Sequence, residues 1–321
     1  MKTVLVTGAT GFIASHLLPV LHEQGWRVIA ALRRPFPSPP PIPWVEVVVG
    51  EIDGETSWQK ALEGVDAVVH LAARAHILRD EDEAAESEAE FMRVNREGTA
   101  NLVRCAIAAG VGHFVFVSSI GAMATLSSQR LTEASPCRPD TPYGRSKLQA
   151  EQVLRRLAQG SGMTWTILRP TLVYGAGNPG NMEQLIAWVR SGLPLPLAGV
   201  DNCRSFVYAG NVADAIARCL THPQAANQTF LLSDGQDIST PQLIRLLAKG
   251  ANVPCRLVSV PPKALRWLGK GGDLLERAIG RSVPLNTARC DRLLGSLTVD
   301  SSRIRTVLHW QPPFSLEEGL T

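Results

Sequence analysis

The sequence predicts an α/β protein, a doubly wound parallel sheet followed by a smaller C-terminal α/β lobe. Three observations lead there. A short apolar run, Val4-Leu5-Val6, passes at once into Thr7-Gly8-Ala9-Thr10-Gly11 and then into a helix pattern that continues to Gln24 and Gly25. Further strand-like runs follow at Arg27 to Leu32, Val45 to Val49, Asp66 to His70 and Phe114 to Val117. A chain of 321 residues, 45% hydrophobic and 19% charged, is long enough to bury such a sheet and carry one large domain or two closely joined ones.

Strand, glycine turn and helix in direct succession form the context of a dinucleotide fingerprint, which makes the sheet Rossmann-type. Gly8 is expected to make the tight turn. Gly11 is expected to let the backbone approach a pyrophosphate on the helix N-terminus, where Phe12 and Ile13 follow. An ordinary glycine turn of a parallel sheet is the competing reading. The position at the head of the chain, with a second strand behind it, favours the fingerprint. That second strand ends in Leu32-Arg33-Arg34, without the carboxylate that usually holds the ribose hydroxyls of NAD. Two arginines suit the extra phosphate of NADP, so NADP is expected ahead of NAD, although they could instead cap a sheet edge. Prolines 35, 37, 39, 40, 41 and 43 then make a stiff extended loop.

The third strand is followed by Gly50-Glu51-Ile52 and the fourth by Leu71-Ala72-Ala73, whose small residues suit either a close cofactor or plain tight packing. One long helix is expected from Ala89 to Ala109, with Asn95 and Gly98 inside it. The fifth strand ends in Ser118-Ser119. Ligands of parallel sheets bind outside the carboxyl ends of the strands, so these serines and the fingerprint turn meet at one edge.

Thr141-Pro142-Tyr143-Gly144-Arg145-Ser146-Lys147 is expected at the same edge. Thr141 is a good N-cap and Pro142 a good first helical residue, so Tyr143 and Lys147 fall one turn apart on one face. A phenol and an ammonium so placed form a proton-handling pair. The spacing also occurs by chance on solvated helices, and it gains meaning only from its company.

That company is specific. Gly8-x-x-Gly11, Leu71-Ala72-Ala73, Asn95-x-x-Gly98-Thr99, Val117-Ser118-Ser119 and Tyr143-x-x-x-Lys147, in this order, resemble the extended short-chain dehydrogenase/reductase family in its nucleotide-sugar branch. Leu168-Arg169-Pro170 with Val173-Tyr174-Gly175, and Arg204-Ser205-Phe206-Val207 with Asn211-Val212-Ala213-Asp214, agree. The ending from Leu293 to Pro313 resembles a subgroup of UDP-hexose 4-epimerases and 4-ketoreductases that form UDP-N-acetylquinovosamine for surface polysaccharide. The resemblance covers nearly the whole chain. It implies a dinucleotide-binding domain over 1–170, with a returning segment near 204–222, and a substrate-binding lobe over 171–321.

By the same resemblance, Tyr143 passes a proton at the sugar C4 oxygen, and Ser119 orients that oxygen. Ser118 is expected to satisfy backbone. Lys147 favours the phenolate and bonds the nicotinamide ribose. Arg33, Arg34, Glu51, Ile52, Leu71, Ala72, Ala73, Asn95 and Pro170 join Gly8, Gly11, Phe12 and Ile13 as cofactor-binding positions. On the sugar-nucleotide side, Asn181 is either a pyrophosphate contact or a plain helix N-cap, and Arg204 is either a diphosphate ligand or half of a surface salt bridge. After Ser119 the subgroup typically reads Ile-Lys-Val-Asn-Gly, whereas this chain has Ile120-Gly121-Ala122-Met123-Ala124, which leaves the sugar open.

The leading expectation is a reductase of a UDP-4-keto-6-deoxy-N-acetylhexosamine. A UDP-hexose or UDP-N-acetylhexosamine 4-epimerase with tightly bound NAD is the alternative, and a non-catalytic nucleotide-sensing protein a further one. A homodimer through the Tyr143 helix and the helix ending near Ala109 is implied by resemblance. A net charge of +3 without a basic aromatic tract argues against nucleic acid. Six scattered cysteines fit reduced thiols and no metal site. With no signal-peptide pattern and no apolar stretch long enough to span a bilayer, a soluble cytoplasmic protein without membrane insertion is expected. The acidic run from Asp80 to Glu90 is read as a solvated helix face or a lid.

Overall fold

Residues 1–37, 42–75, 84–178, 181–279, 283 and 286–320 are described by the computed structural model. Strand β1 (Thr3–Thr7) is buried along its whole length, because it is an inner strand of a sheet whose two faces are covered by helices. Around it lie α1 (Phe12–Glu23), β2 (Arg27–Leu32), β3 (Val45–Val48), β4 (Ala67–His70), α2 (Ala84–Phe91), α3 (Thr99–Ala108), β5 (His113–Val117), α4 (Pro142–Ala158) and β6 (Thr164–Pro170). The remainder comprises β7 (Leu172–Tyr174), α5 (Asn181–Arg190), β8 (Arg204–Tyr208), α6 (Ala209–Thr221), β9 (Gln228–Leu232), β10 (Asp237–Ile238), α7 (Thr240–Gly250), α8 (Pro262–Ile279), α9 (Thr287–Leu294), α10 (Ser302–Leu308) and α11 (Leu316–Leu320).

Seven parallel strands pair in the order β3-β2-β1-β4-β5-β6-β9. The chain reverses direction across the sheet between β1 and β4, and such a switch point opens a crevice at the carboxyl ends of the strands. One face is packed by Leu17, Leu21, Val212 and Ile216 of α1 and α6, the other by Leu102, Val103, Ala150 and Leu154 of α3 and α4. A second sheet of three strands, ordered β10-β8-β7, anchors a separate apolar cluster with Val189, Leu243, Leu247 and Leu265. Of the segment 204–222, α6 lies on the large sheet's core and β8 is the middle strand of the small one.

Two expectations need correction. The edge strand β3 stops at Val48 and exposes Val45 and Val48, since it has a neighbour on one side only. The single helix expected over 89–109 begins at Ala84 and is interrupted by a π-helical stretch, Met92–Gly98. Within it the Thr99 hydroxyl donates to the Asn95 carbonyl at 2.6 Å, and Gly98 lies against Ile52 and Asp53. Widened turns of this kind re-aim a side chain inside a helix, here Asn95. Prolines 39, 40 and 41, and positions 80–83 of the acidic run, lie outside the described residues.

Candidate active site

The helix carrying Tyr143 starts where Thr141 caps it, its hydroxyl accepting from Gly144 N at 3.0 Å with Pro142 in the first turn. Glycines at 121 and 144 let this helix end touch the short 3-10 turn Ile120–Ala122. Ser119 precedes that turn. Its Oγ accepts from Gly121 N at 3.0 Å, and Ser119 Oγ and the Tyr143 ring both lie against Gly121. Burial raises the Tyr143 pKa, and the nearby Ser119 hydroxyl works in the opposite direction. The Phe91 ring meets Tyr143 edge-on at 6.1 Å, and Glu88 holds Arg145 through two contacts of 2.9 Å, so α2 clasps the start of α4.

Lys147 is 2% exposed, with Nζ donating to the Val117 carbonyl at 2.7 Å and lying 4.1 Å from the centre of the Phe116 ring. Burial depresses its pKa to about 7, while the Glu151 charge opposes the fall. Glu151 extends the series one further turn and is fully buried. It accepts from Ser118 Oγ at 2.6 Å and from both arms of Arg169 at 2.9 and 2.6 Å. Ser118 is expected from sequence to satisfy backbone; in the structure its hydroxyl serves this carboxylate, because Glu151 points back at the strand end. Glu151 and Arg169 have no place in the sequence-derived site. The stride Tyr143, Lys147, Glu151 was the signal available for the first.

A second network underlies the glycine turn. His70 Nδ1 lies 2.6 Å from Thr7 Oγ1 and Nε2 3.0 Å from Thr99 Oγ1. Thr99 gives its proton to Asn95 O, so Nε2 is the donor and Nδ1 accepts from Thr7. Thr7 Oγ1 in turn accepts from Ala72 N at 3.2 Å. Burial and the Lys147 charge push the His70 pKa down to about 3. Asn95 is also buried: its carboxamide accepts from Arg74 N, and donates to Arg74 O and to Ser146 Oγ at 2.9 Å. It ties the Leu71-Ala72-Ala73 loop to the tyrosine helix. No local pattern in the sequence marks His70 and Thr99 as linked groups.

The residues at the switch point fit a nicotinamide dinucleotide. Gly8 has φ +67°, and a Cβ there would lie 2.8 Å from Ala72 N, so the turn packs directly on the loop after β4. Helix α1 begins after Gly11 with no side-chain cap, which leaves the first-turn amides of Phe12 and Ile13 facing the position of a pyrophosphate. Pro170 closes β6 at the same edge. Arg33 and Arg34 follow β2, and Arg33 pairs with Glu51 at 3.4 Å on the exposed rim. Ile52 turns its side chain toward Gly98. Asn181 opens α5, but its side chain lies outside the described residues. Arg204 makes no salt bridge among the described residues: it donates to the carbonyls of Arg292 at 2.7 Å and Thr125 at 3.5 Å, tying the loop after the 3-10 turn to the small lobe. No group of metal-ligating side chains occurs among the described residues.

A parallel sheet with a glycine turn at its switch point and a tyrosine-lysine helix alongside defines a short-chain dehydrogenase type of oxidoreductase. The profile described as NAD dependent epimerase/dehydratase family matches residues 4–232. The chain belongs to that family, among the extended short-chain dehydrogenase/reductases. It is 37% identical to a UDP-glucose 4-epimerase of Vibrio cholerae, over 99% of this chain and 93% of that one. It is 26% identical to an N-acetyl-alpha-D-glucosaminyl-diphospho-ditrans,octacis-undecaprenol 4-epimerase of Escherichia coli O157:H7, over 99% and 92%. Among solved structures, MoeE5 in complex with UDP-glucuronic acid and NAD superposes with a TM-score of 0.76 at 26% identity, covering 99% of this chain and 96% of that one.

Proposed function

We propose that the protein is a nucleotide-sugar 4-epimerase acting on a UDP-hexose or UDP-N-acetylhexosamine through transient oxidation at C4. The observation that carries this reading is the meeting of Ser119 and Tyr143 against Gly121 at the carboxyl edge of the sheet. It sits beside a glycine turn fit for a dinucleotide, and the match to the V. cholerae 4-epimerase runs the length of the chain. A bound nicotinamide supplies the acceptor and donor of hydride. Tyr143 takes the proton of the C4 hydroxyl and returns it, and Ser119 holds that oxygen. Lys147, lacking a direct bond to Tyr143 among the described residues, acts through its charge and its hold on the Val117 carbonyl. Residues 1–170 with the returning segment hold the dinucleotide, and 171–321 hold the sugar nucleotide, with Asn181 and Arg204 as its proposed diphosphate contacts.

A second reading, a 4-ketoreductase making a 6-deoxy-N-acetylhexosamine nucleotide, is favoured by one feature. Arg33 and Arg34 stand exposed at the end of β2, where a 2′-phosphate of NADP would be met. The Arg33–Glu51 pair weighs against it, since the carboxylate competes for that arginine. One preparation separates the readings. An epimerase releases stoichiometric NAD on denaturation and interconverts UDP-glucose and UDP-galactose, or their N-acetyl forms, without net redox. A reductase oxidises added NADPH in the presence of UDP-4-keto-6-deoxy-N-acetylglucosamine. If neither turnover occurs and Tyr143→Phe changes nothing, a nucleotide-sensing role replaces both. Dimerisation through α3 and α4 belongs to the same proposal, and a monomer in sedimentation overturns it.

A further inference from the structure

Helix α8 is turned inside out relative to an ordinary surface helix. The face that meets the protein is Leu265, Gly269, Asp273 and Glu276. Leu265 is buried, and a Cβ at Gly269 would lie 3.0 Å from Cys290 Sγ of α9. Both acids are spent on the same side. Glu276 accepts from Val283 N at 2.7 Å and from Asn286 Nδ2 at 3.1 Å, and Asp273 accepts from Thr287 N at 3.0 Å. The face that meets solvent carries Trp267, Leu268, Leu274, Leu275 and Ile279, with Trp267 74% exposed and Leu274 66%. Their spacing at i, i+1, i+7, i+8 and i+12 gathers them into one continuous stripe at 100° per residue.

The cations flank that stripe. Lys263 and Lys270 are exposed, and the Lys270 ammonium lies 5.5 Å from the Trp267 ring centre. A soluble protein rarely leaves so large a contiguous apolar surface uncovered. An apolar stripe with an aromatic ring at its border and lysines along its flank is the pattern of a helix lying in a bilayer interface. No helix among the described residues is long and apolar enough to cross a membrane. At 18 residues, about 27 Å, α8 is suited to lie flat.

We infer that α8 docks the protein on an anionic phospholipid surface, with Trp267, Leu268, Leu274, Leu275 and Ile279 in the acyl boundary and Lys263 and Lys270 among the headgroup phosphates. Charge selects this occupant over a second copy of the chain. Two copies joined face to face with their α8 helices antiparallel about a twofold axis bring like-charged lysine flanks together, whereas anionic headgroups neutralise them. Turning both acids inward removes the repulsion such a surface would otherwise meet. The inference is independent of the substrate, because binding is read without turnover.

The test is co-sedimentation of the full chain with vesicles of phosphatidylethanolamine and phosphatidylglycerol, compared with vesicles of phosphatidylcholine alone. The wild type is expected to sediment with the anionic vesicles. The double variant Trp267→Ser with Leu274→Ser is expected to partition at least about tenfold more weakly. Lys263→Gln with Lys270→Gln should lose the preference for the anionic surface and its salt sensitivity. Circular dichroism and the thermal midpoint, unchanged in each variant, establish that the fold survives. A wild type left in the supernatant, or a serine variant that sediments equally, overturns the inference. So does a wild-type oligomer in analytical ultracentrifugation that the serine variant loses, which assigns the stripe to a second copy.

Discussion

Gly144 lies so close to Gly121 that a Cβ on Gly144 would sit 2.1 Å from the Gly121 carbonyl oxygen. The obstacle is backbone, which cannot swing away as a side-chain end could. Gly144→Ala is therefore expected to push the first turn of α4 off the 3-10 turn, separating Tyr143 from Ser119. Overpacking of this kind costs about 1–3 kcal/mol and sometimes more. Urea denaturation should show the loss, with activity falling further than stability alone explains. A variant with native stability and native turnover would show that the two glycines play no part in setting the site.

The parts of this site that follow local rules were legible in the sequence. Thr141 and Pro142 fix the start of α4 by side-chain capping and ring geometry alone, and Gly8 marks a turn that needs a positive φ. What could not be read was what each polar group faces. Ser118 and Ser119 are adjacent and chemically equal, yet strand alternation sends one to Glu151 and the other to the Gly121 side, where the Tyr143 ring lies. The π-helical stretch around Asn95 is likewise invisible to a 3.6-residue period, because the cause is tertiary: Gly98 packs on Ile52.

Removing the phenol hydroxyl tests the chemistry directly. Proton transfer by a positioned side chain contributes about 10²–10⁴-fold, so Tyr143→Phe should lower kcat by that factor. Little change in KM is expected, since the ring still packs against Phe91. Ser119→Ala removes both the hydroxyl beside Tyr143 and the cap on Gly121 N, and should cost about tenfold or more in kcat with a measurable loss of stability. Steady-state kinetics on the epimerase reaction read both. A serine variant with unaltered kcat would reduce Ser119 to a cap.

Glu151 joins Ser118 at the strand end, Arg169 and the charge of Lys147. Glu151→Gln leaves the Arg169 guanidinium buried without its counter-ion, and breaking a buried pair from one side costs about 3–5 kcal/mol. The same change removes the charge that holds the Lys147 pKa up, so that pKa should fall below about 7. A limb of the pH–kcat/KM profile that belongs to Lys147 is then expected to move to lower pH. Lys147→Arg should abolish that limb, which assigns it. A Glu151→Gln variant with native stability and an unmoved profile would contradict both effects.

His70 and His113 give folding stability its acid sensitivity. Burial, with Lys147 adding to it at His70, holds the two folded-state pKa values at about 3 and about 4, against 6.5 for an ordinary histidine. Between pH 6.5 and those values the unfolded chain binds protons that the folded chain does not. Stability must therefore fall as pH drops through that window, by up to about 1.4 kcal/mol per pH unit for each histidine. In His70→Gln the titrating group is gone while an amide N–H remains to reach Thr99 Oγ1. Urea midpoints at pH 7 and pH 5 should differ less for this variant than for the wild type, even if its stability at pH 7 is lower. An equal loss in both proteins would mean that His70 accepts its proton in the folded state, against the arrangement in which Nε2 donates to Thr99 and Nδ1 accepts from Thr7.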